Sequence, residues 1–219
     1  MRHGDLHVVR LGLVPFHDAW ALQRELAARD GSWLVLVEHP PVFTLGRNGR
    51  AANVIDARAI PVVRIDRGGD VTYHGPGQLV GYPIVMLRER RAGIREHVER
   101  MERAIVAALS DMSVAARRRD DCVGVWTARG KIASIGVRVA RGRTMHGFAL
   151  NVSNDLSPFG LINPCGVPAC AVTSVSQELG RAATVDEAAR VVVPRLAREM
   201  RFAKIINYEI PLGSGGNSG

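Results

Sequence analysis

The chain is short of cysteine, aromatics and lysine, and it has no long apolar run. Each shortage closes off a class of protein. Three cysteines, Cys122, Cys165 and Cys170, stand in 219 residues. An odd number without framework spacing argues against structural disulfides and for reduced thiols. No C-x-x-C pair is present to found a zinc site, so no metal is expected. Aromatic residues make up 5% of the chain, too few to serve as stacking platforms for bases. The net charge of +8 therefore reads as attraction for acidic proteins and phosphate-bearing carriers, with no nucleic-acid partner expected. No apolar run approaches the length needed to span a bilayer, which excludes a membrane-spanning helix. The first seven residues lack the apolar core of a secretory signal, so the expected location is the cytoplasm.

What remains is an ordinary apolar content of 47%, enough for a full core. Residues 1–211 read as a single catalytic α+β domain, followed by a Gly/Ser-rich tail over 212–219. Apolar periodicity predicts helices over 16–29, 94–109, 173–179 and 185–200, the last opened by a capping box of Thr184 and Glu187. Strands are predicted over 8–14, 32–38, 42–47, 61–66, 79–86 and 145–152, that over 42–47 short and edge-like. A hairpin of 123–127 with 131–139 turns at 128–130. Pro83 inside the 79–86 strand predicts an edge or a bulge there, and Pro194 a kink or break in the last helix.

The chemistry-bearing residues fall in three stretches. The first is Arg67-Gly68-Gly69-Asp70-Val71-Thr72-Tyr73-His74-Gly75-Pro76-Gly77-Gln78. It is glycine-rich without being a phosphate loop, because neither G-x-x-x-x-G-K-[ST] nor G-x-G-x-x-G is present. Its glycines let backbone N–H groups approach a ligand closely. The second is Gly130-Lys131-Ile132-Ala133-Ser134-Ile135-Gly136, where a lysine in a chain whose cations are mostly arginine opens an apolar strand. A partly desolvated ammonium there can exchange protons near neutrality and favour a neighbouring thiolate. The third is the Pro164-Cys165-Gly166 turn, which presents a candidate nucleophile with its backbone held. Cys122 and Cys170 read as small buried hydrophobes. His74 and His146 are alternative bases, and His74 can equally orient the Cys165–Lys131 pair. A thiol, an ammonium and backbone loops around a carbonyl point to acyl transfer.

These stretches, with Gly124-Val125-Trp126, His146-Gly147-Phe148-Ala149-Leu150-Asn151 and Thr173-Ser174 in the same order, resemble the lipoyl(octanoyl) transferase family over roughly residues 11–193. The resemblance implies the fold of biotin and lipoate protein ligases, a mixed sheet flanked by helices. It implies octanoyl transfer from acyl carrier protein to a lysine of lipoyl domains, those of 2-oxoacid dehydrogenase complexes and of the glycine cleavage H protein, by a monomer. It assigns Cys165 as nucleophile and Lys131 as the acid/base; His74 is kept with them as a catalytic candidate on the reading of the residues alone. The acyl-binding walls would be Arg67, Gly68, Gly69, Asp70, Val71, Thr72, Tyr73 and His74, then Ser134, Ile135 and Gly136, then Gly147, Phe148 and Ala149. No cofactor is implied, since the acyl group arrives on phosphopantetheine. Ser134 departs from the family's more usual alanine, and the loop between Trp126 and Lys131 is short. Ile132, Ile135 and Phe148 are the expected lining for an eight-carbon chain.

Three other readings are distinguishable. An ATP-dependent ligase on the same fold would proceed through an acyl-adenylate and need no cysteine. A non-enzymatic basic binding module would form no covalent adduct. A cysteine hydrolase would release free acid to water.

Overall fold

A computed structural model describes residues 4–163 and 170–209 of the protein. In chain order the elements are β1 (Leu6–Leu13), α1 (Phe16–Ala28), β2 (Ser32–Glu38), β3 (Val42–Leu45), β4 (Val62–Arg64), β5 (Val71–His74), β6 (Gln78–Ile84), α2 (Ile94–Asp111), β7 (Arg117–Arg118), β8 (Val125–Trp126), β9 (Lys131–Ala140), β10 (Arg143–Asn151), α3 (Val175–Leu179), α4 (Val185–Glu199) and β11 (Ile205–Asn207). The main sheet runs β11-β1-β2-β6-β10-β9-β8-β7, and a second sheet runs β4-β3-β5. The main sheet is mixed. β1 pairs in parallel with β2 and β11, whereas β2, β6, β10, β9, β8 and β7 pair antiparallel in succession.

Helices cover both faces, so the central strands are apolar on both sides. Leu34 and Leu36 of β2 pack with Met101, Ile105 and Leu109 of α2 and Val192 and Leu196 of α4. Their neighbours Val35 and Val37 turn the other way, toward Ala19 and Leu26 of α1. That explains why β2 is a continuous apolar run instead of an alternating one. α4 begins at the predicted capping box, with Glu187 N–H donating to Thr184 Oγ1 at 3.1 Å and Thr184 N–H donating to Glu187 Oε2 at 2.8 Å. It continues unbroken through Pro194. Among the described residues no helix is long and apolar enough to cross a membrane.

Two expectations are corrected. β6 is a central strand despite Pro83, which pairs with Leu34 of β2. The Pro83 carbonyl accepts from the Thr144 hydroxyl at 2.7 Å, so its peptide edge faces β10. Ladder pairing with β10 lapses between Gly81 and Met86, so the missing N–H removes no bond from the ladder. β3 is no edge strand. It lies in the middle of the small sheet, and all four of its residues are buried.

Candidate active site

A cavity of about 370 Å³ opens between the small sheet, the inner strands β6, β9 and β10, and the start of α1. Its walls come from the first two of those stretches and from the His146-Gly147-Phe148-Ala149 segment. The structure brings together Arg67, Gly69, Asp70, Val71, Thr72 and His74 with Lys131, Ser134, Ile135, Gly136, Gly147, Phe148 and Ala149. The antiparallel register of β9 and β10 does this, setting Ala149 opposite Ser134, Phe148 opposite Ile135 and Gly147 opposite Gly136. Three of the expected lining residues fall elsewhere. Tyr73 alternates to the far face of β5 and packs on Phe43 and Phe159, with ring centroids 5.7 and 5.6 Å away. Gly68 spends its N–H on Val137 O at 2.9 Å, fastening the glycine run to β9. Ile132 points into the core beneath α2.

Lys131 starts β9 and is only 4% exposed. Its ammonium lies 5.3 Å from the centre of the Trp126 ring, within cation–π range. The side chain crosses Gly124, where a Cβ would come within 2.6 Å of Lys131 Cε. Its backbone is tied to the chain that follows Pro164, Cys165 and Gly166: Lys131 N–H donates to Ala171 O at 2.8 Å, and Thr173 N–H donates to Lys131 O at 3.0 Å. At the other end, Asn163 N–H donates to Asn53 O at 2.8 Å, and the Asn53 side chain donates to the Asp70 carboxylate. Cys165 itself, with Pro164 and Gly166, lies outside the described residues. The chain on either side of it is fastened to two parts of the cavity wall.

The opposite wall is a hydrogen-bonded relay. Arg67 is 8% exposed and donates from Nη2 to Thr44 O at 2.8 Å and to Thr44 Oγ1 at 3.0 Å. A Cβ at Gly136 would meet Arg67 Cδ at 2.9 Å, so the strand must be bare there for the arginine to pass. His74 Nδ1 donates to Gln78 Oε1 at 2.8 Å, leaving Nε2 to accept from Thr44 Oγ1 at 3.2 Å. Gln78 Nε2 then donates to Tyr73 O and to Asn151 Oδ1, and Asn151 Nδ2 donates to Thr173 O. The relay thus runs from the Arg67 guanidinium to the residue bonded to Lys131. Both ring nitrogens of His74 are engaged, and the ring stacks on Phe16 at 6.2 Å and 17°. Burial, helped by the neighbouring charge on His39, lowers the His74 pKa to about 3, so the imidazole is neutral near pH 7. Its geometry is that of a group that orients the cavity wall through Gln78 and Thr44.

His146 also lines the cavity. Its backbone stands at φ 58°, unusual for a side chain with a Cβ, and its N–H donates to Gln23 Oε1 at 2.8 Å. Nε2 donates to Asp66 Oδ1 at 2.8 Å, yet burial outweighs that carboxylate and holds its pKa below the usual histidine value. Thr72 is 7% exposed, and its hydroxyl has no hydrogen-bond partner among the described residues. It is a polar group that a ligand carbonyl can satisfy.

Phe16, Ile65, Val80, Tyr82, Asp121, Cys122 and Val123 also line the cavity. None carried a local signal, because they reach the cavity from separate parts of the chain: α1, the segment after β4, β6 and the loop before β8. Cys122 departs from the buried-hydrophobe reading: it is half-buried at the cavity wall, and Cys170 is half-buried too.

Residues 15–197 match the lipoyl protein ligase A/B catalytic domain. Over 180 residues the chain is 49% identical to an octanoyltransferase of Geotalea uraniireducens, covering 80% of this chain and 84% of the relative. Over 190 residues it is 48% identical to an octanoyltransferase of Geobacter metallireducens, covering 84% and 89%. The chain belongs to the octanoyltransferase family. It is an acyltransferase, and its fold is that of the ligases too. A solved lipoate-protein ligase A bound with ATP superposes with a TM-score of 0.74 at 18% identity, covering 96% of this chain and 90% of that one. At that identity the likeness speaks for fold alone.

Proposed function

We propose that the protein takes octanoyl from the phosphopantetheine thioester of acyl carrier protein onto Cys165 and passes it to a lysine ε-amine of a lipoyl domain. The observation that carries this reading is the anchoring of residues 163 and 171, on either side of Cys165, to Asn53 and to Lys131 beside one cavity of mixed polar and apolar lining.

In the first half, the Cys165 thiolate attacks the thioester carbonyl. A carbon–sulfur bond forms to Cys165, the bond to pantetheine breaks, and the leaving thiolate takes up a proton. Lys131 supplies that proton, having favoured the thiolate beforehand by its charge. In the second half, the acceptor amine attacks the Cys165 thioester. A carbon–nitrogen bond forms, Cys165 leaves as thiolate, and the amine's proton returns to Lys131. One thioester is exchanged for another before the amide forms, so the reaction needs neither ATP nor a resident cofactor. Arg67 and His74 act as positioning residues that hold the glycine-rich wall in place. The acyl tail lies along Ile135, Phe148, Ala149 and Val80, each methylene contributing about 0.8 kcal/mol of burial.

The decisive experiment is intact mass spectrometry after mixing with octanoyl-acyl carrier protein. One octanoyl adduct is expected on the wild type and none on Cys165→Ala. An adduct of unchanged size and yield on that variant overturns the assignment. Strict dependence of transfer on ATP would restore the ligase reading.

A further inference from the structure

We propose that a second groove, adjoining the acyl cavity, binds the phosphodiester of the carrier's pantetheine arm; this rests on the acyl-transfer reading above. The groove has a volume of about 490 Å³ and lies among β7, β8 and the turn that leads to Lys131. It shares Asp121 and Cys122 with the acyl cavity, so the two spaces adjoin at that point.

Its chemistry is that of an anion site with an apolar wall. Arg117, Arg119 and Arg129 line it, against a single carboxylate, Asp121. Asp121 is committed to Arg119 through two hydrogen bonds. Arg117 and Arg129 have no carboxylate partner among the described residues. Planar guanidinium forks match the oxygens of a phosphate better than any other side chain does. The Trp126 indole forms the wall between the groove and the reacting end. Arg119 sits 4.6 Å from its ring centre, and Lys131, which faces the acyl cavity, sits 5.3 Å from it.

A pantetheine arm carries a phosphodiester at one end and the thioester at the other. It is long enough to bridge two cations that share one indole ring. The acceptor fits this groove poorly, because its attacking group is an amine that is cationic in water, and three arginines repel it. Charge therefore assigns the groove to the donor.

The test compares two small donors that differ only in the phosphate, octanoyl-phosphopantetheine and octanoyl-pantetheine, each with a lipoyl domain as acceptor. With wild-type protein, the phosphorylated donor is expected to have a KM about three- to tenfold lower, as suits a partly exposed anion site. In Arg117→Ala/Arg129→Ala, an exposed pair whose fold is checked by circular dichroism, that ratio is expected to fall toward one. A ratio that survives the double substitution overturns the proposal. A rise confined to the KM of the lipoyl domain also overturns it, by giving the groove to the acceptor. No transfer by the wild type from either donor or from octanoyl-acyl carrier protein would instead remove the acyl-transfer reading itself, and the groove's ligand with it.

Discussion

The Lys131 side chain lies directly across Gly124, at a point where a Cβ on residue 124 would come within 2.6 Å of Lys131 Cε and of Ala133 O. Gly124 also stands at φ 129°, a conformation that side chains rarely adopt, and its N–H donates to the buried Glu102 carboxylate at 2.8 Å. The glycine in Gly124-Val125-Trp126 is thus the floor on which the ammonium rests. Gly124→Ala is expected to cost about 1–3 kcal/mol of stability and to slow Cys165 acylation. Urea unfolding and rapid-quench adduct formation read the two effects. Wild-type acylation by a destabilised variant would separate the floor from the ammonium.

Lys131→Ala should fold and yet acylate slowly, by a factor of about 10²–10⁴, the usual worth of a positioned proton donor. Lys131→Arg should not restore the rate, because guanidinium does not give up its proton. A single-turnover assay at saturating donor measures this. An arginine variant at full rate would reduce the role of Lys131 to its charge.

Thr72→Val replaces an unsatisfied buried hydroxyl with a methyl of the same shape. The free protein should be unchanged or stabilised by up to about 1 kcal/mol, because no internal hydrogen bond is lost. Donor KM should rise several-fold, because the hydroxyl's partner is then the thioester carbonyl or its amide-bearing arm. Denaturant midpoints and steady-state kinetics on the same preparations test the pairing. Unchanged kinetics would leave Thr72 outside the recognition of the donor.

Burial lowers the pKa of His39 and of His97 to about 4 and that of His74 to about 3, against an ordinary value of 6.5. Between those values the unfolded chain binds the protons that the folded chain refuses. Stability from these residues is therefore full above pH 6.5 and declines as pH falls toward 4, by up to about 1.4 kcal/mol per pH unit for each histidine. His97→Gln, remote from the cavity lining, should flatten that decline by one histidine's share. Urea midpoints from pH 7 to pH 5 provide the measurement. An unchanged slope would mean that His97 is protonated in the folded state.

Amino-acid order alone determined whatever depends on neighbours along the chain. The periodicity of α2 and α4, the Thr184 capping box and the two-sided burial of β2 are local consequences of side-chain spacing, and all were legible. The stretches around Arg67 and Lys131 were legible from their residue types as candidate walls, and the one around Gly147 only through the family resemblance. Tertiary structure decided which faces met. Pro83 tolerates a central strand because its peptide edge falls in a gap of the β10 pairing, and no local signal encodes that gap. Strand alternation sent Tyr73 away from the cavity and kept Thr72 and His74 in it. Phe16, Ile65 and Tyr82 joined the wall from three separate elements. Both nitrogens of His74 were taken by Gln78 and Thr44, the latter 30 residues away in sequence. A cavity is a relation between surfaces that are distant along the chain, so its polar partners and its depth arise only once non-local strand pairing has fixed those surfaces against each other.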